Sequence, residues 1–221
     1  MAPKPMTYSP DVASLDVASP IDLRQMSDAK AWADTALQKR PARTDFFNAF
    51  ATAIATQHTN PRILELGSGP GFLAQHILEC ITVDEYGALD FSEAMHQLAQ
   101  ERLNSHGHKV QFIERSFKEN HWTAGLGKFD VVITMQAVHE LRHKRYTVNL
   151  FKQVQQLLRT GGVFLVCDHY AGMDAHGISG MQNNQLYMSI DEHYFALQHA
   201  GFSDIRQLMM LQGMVLHQAK I

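Results

Sequence analysis

A chain of 221 residues with 45% hydrophobic and 19% charged side chains can bury one substantial core, which excludes a disordered chain and a disulfide miniprotein. Its 19 basic and 22 acidic residues leave a net charge of −3, so no basic excess points to nucleic acid or an acidic membrane as a partner. Thirteen histidines are the unusual feature, a stock of groups that titrate near neutral pH or bind metal.

Residues 1–24 are punctuated by Pro3, Pro5, Pro10 and Pro20 and lack the apolar run of a signal peptide, so they read as a flexible leader. No apolar run approaches the roughly 20 residues of a membrane helix. Cys80 and Cys167 are too few for a disulfide framework, and a cytoplasmic setting without a membrane partner is expected. Residues 25–60 form a helical cap: Ser27–Arg40 and Thr44–Gln57 read as helices split by Pro41, with Phe46, Phe47, Phe50 and Ile54 at helical spacing.

From residue 61 to 221 strands and helices alternate. Strands are expected at Arg62–Leu66, Tyr86–Leu89, Val110–Ile113, Phe129–Thr134 and Val163–Cys167. Between them lie a helix through Leu73, Ile77 and Cys80, one capped by Ser92, and one at Tyr146–Leu158 that stops at Gly161–Gly162. Ser189-Ile190-Asp191-Glu192 is a capping box opening a last helix that closes at Gly201. Asp204–Leu211 and Met214–Ala219 read as an antiparallel edge hairpin. The pattern is α/β, a mostly parallel sheet with helices on both faces.

Gly67-Ser68-Gly69-Pro70-Gly71 sits at the first strand-to-helix turn, where glycines let backbone approach a ligand closely. Asp90 ends the next strand, where a carboxylate accepts from ribose hydroxyls. A nicotinamide-dependent oxidoreductase is one alternative, since Gly69-Pro70-Gly71-Phe72-Leu73-Ala74 satisfies a GxGxxA fingerprint. Glu65 before the loop, Pro70 within it and the terminal hairpin disfavour that alternative.

Four segments together resemble the class I S-adenosylmethionine (SAM)-dependent methyltransferases. They are Glu65–Gly71, Ala88-Leu89-Asp90-Phe91-Ser92-Glu93-Ala94-Met95, Phe129-Asp130-Val131-Val132-Ile133, and Leu157-Leu158-Arg159-Thr160-Gly161-Gly162-Val163-Phe164-Leu165. The resemblance implies a Rossmann-like seven-stranded sheet of order 3-2-1-4-5-7-6 with strand seven antiparallel. It implies SAM as cofactor and S-adenosylhomocysteine as product, with no metal. Gly67, Ser68, Gly69 and Gly71 would lie under the methionine portion and Glu65 would reach its amino end. Asp90 would hold the ribose, and Phe91 and Met135 would line the cofactor site. Ser116 stands where the family often has an aspartate for the adenine amino group, with Phe117 flanking the ring. The implied activity is methyl transfer to an oxygen or nitrogen of a small-molecule acceptor, with no nucleic-acid partner: Thr134-Met135-Gln136-Ala137 stands where amino-methylating nucleic-acid enzymes carry their motif. A SAM-binding subunit without catalysis is a further alternative.

His139-Glu140-Leu141-Arg142-His143 also spells HExxH, the zinc-hydrolase pattern, but Tyr146 and Asn149 occupy the positions of the extended motif and no third ligand follows. Position favours another role. His139 and His169 fall just after the fourth and fifth strands, at the sheet edge where open α/β folds place their chemistry, and are the candidate bases. Trp32, Phe46, Gln136, Tyr170 and Tyr187 are candidate substrate contacts. The cap helices and the segment 170–189 are candidate covers.

Overall fold

In the computed structural model of the chain, residues 16–173, 177 and 179–221 are described. Most of the expected leader (residues 1–15), and residues 174–176 and 178 of the expected covering segment, lie outside the described residues.

Among the described residues, two helices precede the sheet, α1 (Met26–Lys39) and α2 (Arg43–Ala55). Then β1 (Arg62–Leu66), α3 (Phe72–Cys80), β2 (Glu85–Asp90), α4 (Glu93–Arg102) and β3 (Val110–Glu114) complete the first half. The second half is β4 (Phe129–Met135), α5 (Thr147–Leu157), β5 (Leu158–His169), α6 (Ile190–His199) and the hairpin of β6 (Asp204–Leu211) and β7 (Met214–Lys220). Among the described residues, seven strands join one sheet of order β3-β2-β1-β4-β5-β7-β6, parallel except for β7, which runs antiparallel to both neighbours. This is the expected topology.

Successive strand residues face opposite ways, and that alternation divides the core in two. Ile63, Val131, Ile133 and Leu165 face one way and meet Phe46, Phe50 and Ile54 of α2 and Leu73 and Ile77 of α3. Leu64, Val132, Phe164 and Val166 face the other way, against Leu150, Phe151 and Val154 of α5 and Leu197 of α6. Ser92 accepts from Met95 N–H at the start of α4, and Ser189 and Glu192 close the reciprocal capping box of α6. Among the described residues, no helix is long and apolar enough to cross a membrane.

One boundary differs from expectation in a way that matters. The strand expected at Val163–Cys167 is longer at both ends. Leu158, expected to finish the helix, is buried and pairs with Phe129 of β4, so α5 ends at Leu157 and β5 begins at once. At its other end β5 continues through Asp168 and His169, because β7 offers Val215 and Met214 as ladder partners. Both side chains therefore stand on a paired strand, with less freedom than a loop would leave them.

Candidate active site

The carboxyl ends of β1, β2, β4 and β5 surround a cleft of about 680 Å³ at the point where strand order reverses on either side of β1 and β4. Gly67, Asp90, Phe91, Ser116, Phe117 and Met135 line it, as do Trp32, Gln136, Tyr187, His139 and His169. Eleven of the expected site residues thus meet around one space.

Others do not. Phe46 is fully buried in the α2–α3 core, because the apolar face of α2 turns inward. Tyr170 is fully buried too, its ring packed against Gly180, where an added Cβ would meet ring carbons at 2.7 and 2.8 Å. Neither lines the cleft. Glu65 is buried beneath it: Tyr86 Oη donates to Glu65 Oε2 at 2.8 Å, and burial pushes the carboxyl up to about 8. Gly71 lies behind the loop, where an added Cβ would come within 3.2 Å of Ala99 and Leu103, so its role is close packing against α4.

The glycine loop is knitted to β2 through its own N–H groups. Gly67 and Ser68 N–H both donate to Leu89 O, at 2.8 and 3.0 Å. Gly69 N–H donates to Asp90 Oδ2 at 2.8 Å and Gly71 N–H to Ser68 O at 3.2 Å, while Pro70 has no N–H. A loop with these donors committed does not offer the row of free N–H groups that cradles a pyrophosphate. It offers room instead: at Gly67 an added Cβ would stand 2.4 Å from Ala137 Cβ. Ser68 Oγ is buried without a partner, and Asp90 accepts backbone N–H bonds from Gly69 at Oδ2 and from Ser92 at Oδ1. A nucleoside cofactor without phosphates fits this donor set, and a dinucleotide does not.

On the β4–β5 side, a short 3₁₀ turn, Val138–Leu141, presents His139. His139 Nδ1 lies 2.7 Å from Asp168 Oδ1, and its backbone N–H donates to Asp168 Oδ2 at 2.9 Å. His169 N–H donates to Asp168 Oδ1 at 2.7 Å. Burial alone raises an aspartate, but the His139 charge and these hydrogen bonds bring Asp168 down to about 2. His139 is the mirror case: burial lowers it, and Asp168 lifts it above its ordinary value. Glu140 Oε1 stands 3.5 Å from His139 Nε2.

His169 differs. Burial drives it down to about 4, so it is neutral at pH 7. Its Nε2 is 2.8 Å from the Gln136 amide nitrogen, which can only donate, so Nε2 accepts and the ring proton faces Gly213 O across 3.4 Å. Gln136 is held at φ 54° and accepts from Arg43 Nε at 2.6 Å, so a line of contacts runs from α2 through Gln136 to His169. Sequence reasoning singles out neither Asp168 nor Arg43, and takes Glu140 only as part of the HExxH pattern. Asp168 is the neighbour of His169, and the register Met135↔Cys167 is the feature that brings it to His139.

The HExxH pattern does not become a metal site. Its helix is absent: the 3₁₀ turn ends at Arg142 with φ 66°, and His143 begins a separate turn. No group of three His, Cys, Asp or Glu suited to a metal ion occurs among the described residues.

Residues 17–24 cross the cleft. Arg142 donates from Nε to Val17 O and from Nη2 to Ala18 O, at 2.8 and 2.7 Å, and Val17 N–H donates back to Arg142 O at 2.9 Å. Farther on, Ser92 Oγ donates to Leu23 O at 2.5 Å and Arg24 sits over Phe91, 4.8 Å from the ring centre.

Behind β5, His193 and His217 stack with ring centres 5.6 Å apart, each with an unpartnered Nδ1. Burial lowers both, His217 to about 3. A histidine depressed in the fold stabilises above its unfolded pKa, and that contribution is lost as pH falls below about 6.5 towards the folded value. The slope is about 1.4 kcal/mol per pH unit for each such group. Glu65 works against it, since its raised carboxyl binds a proton in the fold first. Denaturant melts between pH 6.5 and 4 should show a shallower decline for His217→Gln than for the wild type, by about one proton; equal slopes would refute the assignment.

With this geometry in hand, the family described as a methyltransferase domain matches residues 63–162. Highly reducing polyketide synthase 40 of Fusarium pseudograminearum is 24% identical over 129 residues, 55% of this chain and 5% of that protein. The chain therefore spans about a twentieth of the length of such synthases. Malonyl-[acyl-carrier protein] O-methyltransferase of Brevibacillus brevis is 22% identical over 181 residues, 76% of this chain and 63% of that protein. Among solved structures, human N-acetylserotonin methyltransferase in complex with SAM superposes with a TM-score of 0.68 at 15% identity, covering 90% of this chain and 57% of that one. Strand order, glycine loop and family match agree: the chain has the fold of the class I SAM-dependent methyltransferases, and residues 63–162 match the methyltransferase-domain family.

Proposed function

We propose that the protein transfers a methyl group from SAM to an oxygen or nitrogen of a small-molecule acceptor. The observation that carries this reading is the His139–Asp168 pair, standing on the same cleft as Gly67 and Asp90. A binding subunit without catalysis has no need of a buried carboxylate aimed at a cleft histidine. When bound, SAM supplies an electrophilic methyl group on a sulfonium.

The residues that would hold it divide the work by chemistry. Gly67 leaves room for close approach, and Asp90 has lone pairs for two ribose hydroxyls. Phe91 and Phe117 offer apolar faces to the adenine, Ser116 a hydroxyl, and Met135 a soft apolar wall. His139 Nε2 receives the proton of the acceptor's hydroxyl or ammonium, and Asp168 stabilises the imidazolium through Nδ1–H. His169, with both ring nitrogens engaged, is a positioning residue rather than the base. The strap at 17–24, α1 and Tyr187 keep water from the acceptor. The unpaired Cys80 and Cys167 suit a reducing cytoplasm.

Calorimetric titration tests the cofactor. SAM and S-adenosylhomocysteine bind and NAD does not; absence of S-adenosylhomocysteine binding overturns the reading.

A further inference from the structure

Arg43 is only 7% exposed, yet no carboxylate lies within ion-pair distance of it among the described residues. One guanidinium nitrogen, Nε, is spent on Gln136, and its face rests on Trp32, 4.8 Å from the ring centre. Nη1 and Nη2 make no hydrogen bond to any described residue, and the side chain lines the cleft. Buried charges are normally paired, and a fork of two free N–H edges matches a carboxylate in shape and charge.

The surroundings sharpen the anomaly. Lys39 and Arg40 line the same wall and also lack a carboxylate partner among the described residues. Arg40 adds to burial in lowering Arg43, to about 10, so the guanidinium feels like charge and no relief. None of the cleft's own acids pairs with this wall: Asp22 meets Arg24, Asp28 accepts from Asp22 N–H, Glu140 meets Arg142 and His139, and Asp90 accepts from the backbone of Gly69 and Ser92. SAM, with a sulfonium, an ammonium and one carboxylate, carries a net charge of +1 and brings more positive charge in. SAM's single carboxylate is outweighed by its own two positive groups, so the charge of this wall favours an acceptor that brings an anion.

We propose that the acceptor is a carboxylic acid whose carboxylate is taken by the free Nη1–Nη2 edge of Arg43, with Arg40 adding attraction from the rim. The contact also orders the reaction. Arg43 holds Gln136, and Gln136 holds His169, so the group that selects the acceptor is tied to the wall of the catalytic cleft. This inference rests on the methyl-transfer reading and names its substrate class.

The test uses a panel of small hydroxy-, amino- and dicarboxylic acids, each beside its methyl ester, titrated into protein loaded with S-adenosylhomocysteine. Acids bind at least about 10-fold tighter than their esters, the range of a charged hydrogen-bonded pair. Arg43→Gln removes that preference while S-adenosylhomocysteine affinity stays within about 2-fold, well short of one lost hydrogen bond. Arg40→Gln, at an exposed position that leaves the fold intact, weakens the acids about 3-fold and more at low salt. Equal binding of acids and esters, or no binding of any acid, overturns the proposal. So does a drop in S-adenosylhomocysteine affinity on Arg43→Gln, which assigns the arginine to the cofactor's own carboxylate. An unchanged acid preference in Arg40→Gln, if Arg43→Gln does not fold, overturns it as well. Wild-type protein that fails to bind S-adenosylhomocysteine defeats the methyl-transfer reading itself, a separate outcome.

Discussion

Replacing His139 with glutamine lowers methyl transfer by about 100- to 10,000-fold, the usual worth of a positioned general base, while S-adenosylhomocysteine affinity changes little. The expectation follows from a division of labour in the site. Asp168 occupies Nδ1 of His139, which leaves Nε2 as the nitrogen that can take a proton. The pH profile adds a reading that a merely structural role would not give. Asp168 holds His139 above its ordinary value against the pull of burial. In the wild type, activity therefore climbs with rising pH through that raised value, as the ring loses its proton. In Asp168→Asn the carboxylate charge is gone and burial wins, so the limb moves to lower pH even as the maximal rate falls. Unchanged turnover in His139→Gln, or a limb that stays put in Asp168→Asn, sinks the assignment.

The second large effect is at Gly67. Alanine there meets two penalties at once. The backbone sits at φ 67°, where an L side chain costs about 1–2 kcal/mol. The new Cβ would also lie 2.4 Å from Ala137 Cβ, so one of the two loops has to move. Ala137 leads directly into the turn that carries His139, so cofactor affinity and turnover fall together, and stability drops by about 2–4 kcal/mol in all. Adding Ala137→Gly to Gly67→Ala relieves the clash and leaves only the backbone strain, restoring roughly half of the lost stability. Denaturant midpoints of the wild type, the two single variants and the double variant check this, and additive behaviour of the pair contradicts the contact.

These two residues mark how far the chain could be read before it was seen folded. The placement of Gly67 and Asp90 was legible because local rules govern them: a tight turn demands glycine, and the end of a strand next to it faces the same cleft. That His139 and His169 would stand on the cleft was legible from position alone. Asp168 was not, although it directly precedes His169. Its meaning comes from β5 running two residues past Cys167 along β7, and from the register that sets it beside the β4 loop. Arg43 was silent for a similar reason, since nothing in α2 says that its first residue will reach Gln136, 93 positions away. Phe46 and Tyr170 show the converse error. An aromatic near a site by sequence is a pocket residue only if its helix or strand faces the pocket, and both face the core.

The strap at 17–24 carries a last consequence, for the order in which the molecule is built. Its grip on Arg142 spans 125 positions, so no local contact can lay it down early. Closing so long a loop is worthwhile only once β4 and β5 have fixed the turn that bears Arg142. The strap is therefore the last piece to dock and the first to lift. Apart from Leu23, which packs against Ala29, Ala94 and Met95, it rests on a handful of hydrogen bonds, so its amides exchange through local opening while those of β1 and β4 wait for global unfolding. A cleft roofed by the least cooperative unit of the fold can admit and release its ligands without disturbing the sheet that aligns them.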